Sequence, residues 1–580
     1  MFQPFFRRSV LSSAVLAATL GLAACGGSDE LPAVVTPTPP AAVLSNTVAL
    51  TASNKLISFA RTAPQTITST SPVITGLQAG ETLVGMDYRP TNGLLYAVGS
   101  SGAVYQLDPL TGVASNRIAL TSVAAGNAAI VLTGTSFGVD FNPQADRLRV
   151  VSNTGQNLRV NLVSTAGNTT IDTALPATAA VSGSAYTNSF AGTSNTRLYS
   201  INLTANTLDE QGTLNPATGT TQPNDGTQTT IAPLGFAPTA VNGFDIDARN
   251  NVGYAAMTVG TTTSLYTINL TPAAGTNAAT VVATIGDGTE AIRGVALAPV
   301  AAPVIAALTT SNGLITVAAN APNTLITNVP VITGLNGPTT SPAEQILGVD
   351  YRPQDGLLWG VSSAGRLYTI VPATGAATFR VALPAPVATA IAGSASLVVD
   401  FNPVANRLRV ITPSGANFRI AAVDVPAVGA TPAVAAGTTV TDGSINRVGG
   451  AASTVLAGAY SNSFAGAAST QLFDLDGSAD FLALQTPPND GTLVNQGTLG
   501  LGLDISSFAG FDIAGGQNGL ILGAVRANNT GPFLLRTISL TTGVVSVYNP
   551  VSTGVAPTDA QSQIGGAAGP AIRDIAISLQ

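Results

Sequence analysis

Gly85-Met86-Asp87-Tyr88, then Arg89-Pro90-Thr91-Asn92-Gly93, then Leu94-Leu95-Tyr96-Ala97-Val98: a short apolar run, a turn and a second apolar run decide the fold. Proline presets φ, and glycine accepts the positive φ that closes such a turn. A further turn at 100–102 leads to Val104-Tyr105-Gln106-Leu107, which stops at Asp108-Pro109 and Thr111-Gly112. Variable residues and a fourth strand follow. Four short antiparallel strands in about 50 residues are the signature of a propeller blade. Strand starts of the same kind recur at Gly85, Gly138, Ser184, Gly243 and Gly294, at steps of 53, 46, 59 and 51. No stretch shows a sustained helical period.

The whole pattern is written twice. Val84-Gly85-Met86-Asp87-Tyr88-Arg89-Pro90 returns as Leu347-Gly348-Val349-Asp350-Tyr351-Arg352-Pro353. Val139-Asp140-Phe141-Asn142-Pro143 returns as Val399-Asp400-Phe401-Asn402-Pro403, and Pro223-Asn224-Asp225-Gly226-Thr227 as Pro488-Asn489-Asp490-Gly491-Thr492. The last unit of each copy offers a single strand, Ile292-Arg293-Gly294-Val295 or Ile572-Arg573-Asp574-Ile575. Such a strand completes the first blade when a ring closes. The fold class is therefore all-β: two tandem propeller domains of about five four-stranded blades each, with one ring of about ten blades as the alternative. The domains read as 47–303 and 304–580, packed or continuous because almost nothing lies between them.

Composition narrows the function. Only 9% of the 580 residues are charged, and the formal charge of −7 becomes −9 once a leader holding Arg7 and Arg8 is removed. With Lys55 the sole lysine and no basic run, nucleic-acid binding is disfavoured. The chain has no histidine, which removes a Ser-His-Asp triad, a His-ligated zinc and the usual neutral-pH base. The single cysteine, Cys25, excludes disulfides within one chain. Mean hydropathy of +0.36 would suit a membrane protein, but apolar runs beyond the N-terminus are broken by Pro, Gly, Ser and Thr. The worst case, 382–399, holds two prolines and reads as strand plus loop.

Arg7-Arg8, an apolar stretch over 10–22 and Leu22-Ala23-Ala24-Cys25-Gly26 form a signal peptide over 1–24. Leu-Ala-Ala-Cys resembles the bacterial lipobox. That resemblance implies diacylglyceryl attachment at Cys25, and more than one acyl chain gives stable anchoring. Gly26 is not the aspartate of an inner-membrane retention signal, so an outer-membrane, envelope location is expected. Residues 25–46, rich in Pro and Thr, read as a tether.

The run Gly-x-Asp-Tyr-Arg-Pro, then Asp-Phe-Asn-Pro-x-Ala-Asp/Asn-Arg-Leu-Arg-Val, then Pro-Asn-Asp-Gly-Thr resembles the bacterial domain-of-unknown-function family 4394 over nearly everything after residue 47. The resemblance implies an exported, propeller-like protein and no particular activity.

Three groups are candidates for chemistry. Arg147 and Arg149 alternate along one strand face, and a hairpin places Arg159 beside Arg149; Arg407, Arg409 and Arg419 repeat the set. Guanidiniums facing each other need an acid between them. It is either a structural partner such as a first-strand aspartate, or an anionic ligand. Glu81 and Asp87, like Glu344 and Asp350, lie six residues apart. That is about 20 Å of strand, too far for paired-carboxylate chemistry unless the chain bends. Asp140, Asp245, Asp400 and Asp512 repeat the first-strand position of Asp87 and Asp350. They are expected either to ring an axial channel and hold a cation or to bind backbone. Pro223-Asn224-Asp225-Gly226 reads as a turn, and Trp359, in the place of Tyr96, as a packing aromatic. Asp474-Leu475-Asp476-Gly477 resembles the start of a calcium loop but lacks the remaining ligands. No cofactor is expected; Ca²⁺ is the one ion these acids would suit. The favoured reading is a non-enzymatic binding or scaffolding module, with the membrane and an envelope protein or saccharide as partners. The competing one is a histidine-free saccharide-active or other hydrolase or lyase using Asp, Glu, Arg and Tyr.

Overall fold

The computed structural model describes residues 44–579 except 125, 165–166, 216–219, 337–342, 428–431, 448–452, 479, 499–509, 527–530 and 551–556. The leader, Cys25 and most of the tether lie outside the described residues. From Ala42 onward the chain forms one compact unit.

Ten antiparallel sheets, each with a four-stranded core, follow one another along it. In the first copy, blade 2 consists of Leu83–Tyr88, Leu95–Gly99, Ala103–Leu107 and Ala114–Ala119. Blades 3, 4 and 5 begin with Phe137–Asn142, Val181–Tyr186 and Ala240–Ile246. Blade 1 holds Thr47–Thr51, Leu56–Ala60 and Ala63–Thr70, and its inner strand is Ile292–Leu297 from the far end of the copy. In the second copy Ile572–Ser578 joins Val304–Thr309 in the same way. The inner strand Leu83–Tyr88 touches both Phe137–Asn142 and Ile292–Leu297, and Ile572–Ser578 touches both Ile346–Tyr351 and Gly510–Ala514. Each copy therefore closes on itself. There are two rings of five blades, not one of ten.

The strands form where the sequence places apolar and β-branched residues between turn formers. The core lies between blades: Tyr96, Phe141, Val150 and Leu158 pack together in ring 1, and Trp359, Phe401, Val410 and Phe418 do so in ring 2. Trp359 meets Phe401 edge-on at 6.2 Å, as Tyr96 meets Phe141 at 5.6 Å, so Trp359 is a packing aromatic. One departure is local. Residues 382–399 were read as strand plus loop, yet Ala385–Ile391 is a helix of two turns. Pro386 sits in its first turn, where a missing N–H costs nothing. Blade 4 of ring 2 also gains a short edge strand, Asn446–Arg447, parallel to Thr492–Thr498.

Candidate functional site

The inner strands bring acids to each ring axis. In ring 1, oxygens of Asp87, Asp140 and Asp245 lie within 4.8 Å of one another; in ring 2, those of Asp350, Asp400 and Asp512 do the same. Each acid also bonds to the backbone of the next inner strand. The Phe141 N–H donates to Asp87 Oδ2 (2.8 Å), the Tyr186 N–H to Asp140 Oδ1 (3.1 Å) and the Leu297 N–H to Asp245 Oδ2 (2.6 Å). Ring 2 repeats these stitches through Phe401, Tyr460 and Ile577. It adds one: Asp574, where ring 1 has Gly294, accepts from the Val349 N–H (2.9 Å). Sequence reasoning passed over Asp574, although Ile572-Arg573-Asp574 stands plainly against Ile292-Arg293-Gly294.

All these carboxyls are buried. Burial, reinforced by the neighbouring acids, holds Asp87, Asp140, Asp350 and Asp400 well above the usual carboxylate range. Burial pushes Asp245 and Asp512 up to about 7. Buried carboxyls stitched to amides act as struts between blades. A divalent ion in their midst would first have to displace the protons that burial favours on them.

Glu81 and Glu344, candidate channel carboxylates six residues before Asp87 and Asp350, do not join the axial acids. Glu81 accepts from the Ser101 hydroxyl, in the turn between the second and third strands of its own blade, and, at 2.5 Å, from the Tyr105 hydroxyl on the third. Glu344 accepts from Ser362, from Arg366 Nη1 (2.9 Å) and from Tyr368 (3.2 Å). Both precede the inner strand, which is extended from there to the aspartate, so the chain does not bend the acids together.

The acid between the arginines is supplied by the chain itself. Asp172, just after the fourth strand of blade 3, accepts Arg149 Nη1 at 2.7 Å through Oδ2, and its Oδ1 takes Arg159 Nη2 at 3.0 Å. Arg149 also donates to Asn157 Oδ1, Asn224 Oδ1 and the Tyr186 hydroxyl, so the chain itself satisfies this buried guanidinium. In ring 2 Asp442 joins Arg409 (2.6 Å) and Arg419 (2.7 Å) with the same helpers, Asn417, Asn489 and Tyr460. The sequence reading anticipated a structural partner but looked to a first-strand aspartate. The Pro-Asn-Asp-Gly turn is part of this knot, because its asparagine is a ligand of the arginine. Arg147 and Arg407 point elsewhere and donate to turn carbonyls, Ala145 and Asp146 in one case and Ala405 and Asn406 in the other. Asp474 and Asp476 lie in the strand Leu472–Asp476, not in a calcium loop. Asp476 pairs with Arg447, and burial pushes Asp474 up to about 8.

Where the copies differ, open space appears. The rings meet about a local pseudo-twofold: the Gly516 N–H donates to the Arg249 carbonyl (3.4 Å), and these two residues occupy the same position in the two copies. On one side the loop of ring 1 is stitched down. Thr193 Oγ1 and the Ser194 N–H both donate to the Gly519 carbonyl, and Asn195 Nδ2 donates to the Gln517 carbonyl. Phe190 of that loop is 1% exposed, in the core between blades 1 and 5 of ring 2. On the other side Ala467-Ala468-Ser469 replaces Thr193-Ser194-Asn195, and Phe464, the counterpart of Phe190, is half-buried. The surface opposite carries Arg61, paired with Asp247, where ring 2 has Ala319 and Ala514. Phe464 stands at a cleft of about 560 Å³, lined also by Asn250, Asn269, Leu270, Thr271 and Asn462 among others. The cleft adjoins a cavity of about 220 Å³ at the axial mouth of ring 2, with Asn250 and Phe464 in both walls. The same mouth in ring 1 is only about 20 Å³.

Both copies match one family model, "Domain of unknown function (DUF4394)", over residues 55–296 and 313–560. The chain belongs to the DUF4394 family. No curated protein matches it. Among solved structures it is similar to the Dos1 propeller, at 14% identity and TM-score 0.21, covering 61% of this chain and 83% of that one. It is also similar to the extracellular domain of a hybrid two-component system protein from B. thetaiotaomicron, at 10% identity and TM-score 0.24, covering 85% of this chain and 64% of that one. The chain thus spans a little under two thirds of the latter. Within the DUF4394 fold seen here, the recurring side chains are struts, and the open cleft lies where recurrence fails.

Proposed function

We propose that this DUF4394 protein is an envelope lipoprotein, anchored to the outer membrane through Cys25, whose twin propeller is a non-enzymatic binding or scaffolding module. The observation that carries the binding reading is the cleft between the rings. Its volume falls in the range of ligand sites, about 300–1,000 Å³, and loops of both rings, held on the blade framework, supply its wall. Its wall mixes the amides and hydroxyls of Asn250, Asn269, Thr271 and Asn462 with the apolar surface of Val252, Leu270 and Phe464, the combination that takes up a sugar's hydroxyls and its C–H face. The acids that converge do so behind it, buried and bonded to backbone, which supports binding over hydrolysis. The sole cysteine, placed after Leu-Ala-Ala, supports the anchor.

Two experiments test this. Cells grown with labelled palmitate should yield a labelled membrane-associated protein, and Cys25→Ser should abolish both label and membrane association. A mature protein that stays unlabelled defeats the anchor. Phe464→Ala should weaken binding of a saccharide found by glycan array without changing the melting temperature. If every array ligand tolerates that change, the cleft is not the site.

A further inference from the structure

The acidic chain keeps one guanidinium idle beside this cleft. Arg249 is exposed, and its side chain has no acceptor among the described residues, whereas Arg61, Arg89, Arg149, Arg159 and Arg197 are each paired with a carboxylate. It lies in the turn between Ala240–Ile246 and Gly253–Val259, the first turn of blade 5, and lines both axial mouths, the closed one of its own ring and the open one of ring 2. Ring 2 has Gly516 in this place, so the pseudo-symmetry supplies one arginine and not two. Tyr351 and Ser463 stand in the same wall as Arg249, and Phe464 bridges from it into the larger cleft.

We propose that the ring 2 mouth and the adjoining cleft form one site for an acidic saccharide, with Arg249 taking a uronate carboxylate and Phe464 supporting a sugar ring. This rests on the binding reading above and gives it a ligand class. A guanidinium without an acceptor selects a planar carboxylate through two parallel N–H bonds. The ring face of Phe464 offers an apolar surface for sugar C–H groups. Asn250, Asn269, Thr271 and Asn462 along the wall offer partners for several hydroxyls at once, as a sugar ring presents them.

The test is calorimetric titration of the mature protein with trimers of galacturonate, glucuronate and mannuronate, and with their methyl esters. At least one acid should bind at least about tenfold more tightly than its ester, a difference of about 1.4 kcal/mol. Arg249→Ala should bring the acid to the affinity of the ester, and Arg249→Lys should restore part of the difference. Phe464→Ala should weaken acid and ester alike. Acid and ester binding equally, or an acid preference that survives Arg249→Ala, overturns the acidic-ligand inference and leaves saccharide binding standing. If neither form of any trimer binds, or a peptide carboxylate displaces the acid and binds more tightly, both readings fall.

Discussion

Ring 1 and ring 2 share their struts and differ at their mouths. The Asp172 knot and the Asp442 knot have the same donors at similar distances, and the axial aspartates reach the same amides. At the mouths the copies part. Ring 1 spends Arg61 and Asp247 on each other, while ring 2 has Ala319 and Ala514 and buries that surface beneath Phe190 of its neighbour. One side of the interface is apolar and closed. The other carries charges and is open. A duplicated chain thus separates scaffold from site: what both copies keep holds the ring, and what one copy changes opens it.

The largest effect expected is at the knots. Asp172→Ala or Asp442→Ala leaves Arg149 or Arg409 buried without its acid, at a cost of about 3–5 kcal/mol. Urea unfolding should show comparable losses for both variants. A large loss in one ring only would break the claim that the copies are equivalent scaffolds.

Next comes pH. The axial aspartates have folded pKa values raised above the ordinary 3.8, to about 7 for Asp245 and Asp512, so the fold favours their protonated forms. Their contribution is complete below pH 4 and is lost as pH rises through 7, with a slope of up to about 1.4 kcal/mol per pH unit for each such group. Thermal melts should therefore fall between pH 5 and 8, and Asp245→Asn or Asp512→Asn should flatten that fall. A melting temperature that rises over this interval would mean that the acids are ionised, as when an ion holds them.

The smallest effect is at the interface. Thr193→Ala with Ser194→Ala gives ring 1 the loop chemistry of ring 2 and removes the side-chain bonds to Gly519 and Ile521. Each bond is worth about 1 kcal/mol. Amide exchange over 188–197 should speed up while the ring cores stay protected. The reverse change, Ala467→Thr with Ala468→Ser, should slow exchange over 462–469 and narrow the cleft.

Much of the ring was legible in the sequence, because a blade is a local object: four strands with turns of fixed chemistry, repeated. The closing strands at Ile292 and Ile572 were legible too, since a lone strand at the end of each copy demands a partner. Asp87, Asp140 and Asp245 could be placed on one axis from their shared position in the inner strand. What the sequence withheld was the partner of each charge. Asp172 follows a variable segment, and nothing in its neighbours marks it as the acid for Arg149. Glu81 resembles a channel residue until the side-chain contacts of strands two and three are known. The cleft was hidden for a different reason. It depends on how two rings meet, and its marks are the exchanges Thr193/Ala467, Asp247/Ala514 and Arg249/Gly516, which look like drift until they face each other in space.

The most direct test pairs a residue the copies share with one they do not. Arg149→Ala and Arg249→Ala are melted and titrated with the same oligouronate that the unaltered protein binds best. Arg149→Ala should melt at a lower temperature and, below it, bind the acid normally. Arg249→Ala should melt like the parent and lose the preference for acid over ester. If instead Arg149→Ala abolishes binding without loss of stability, or Arg249→Ala leaves acid binding intact, the division into shared scaffold and unshared site is wrong.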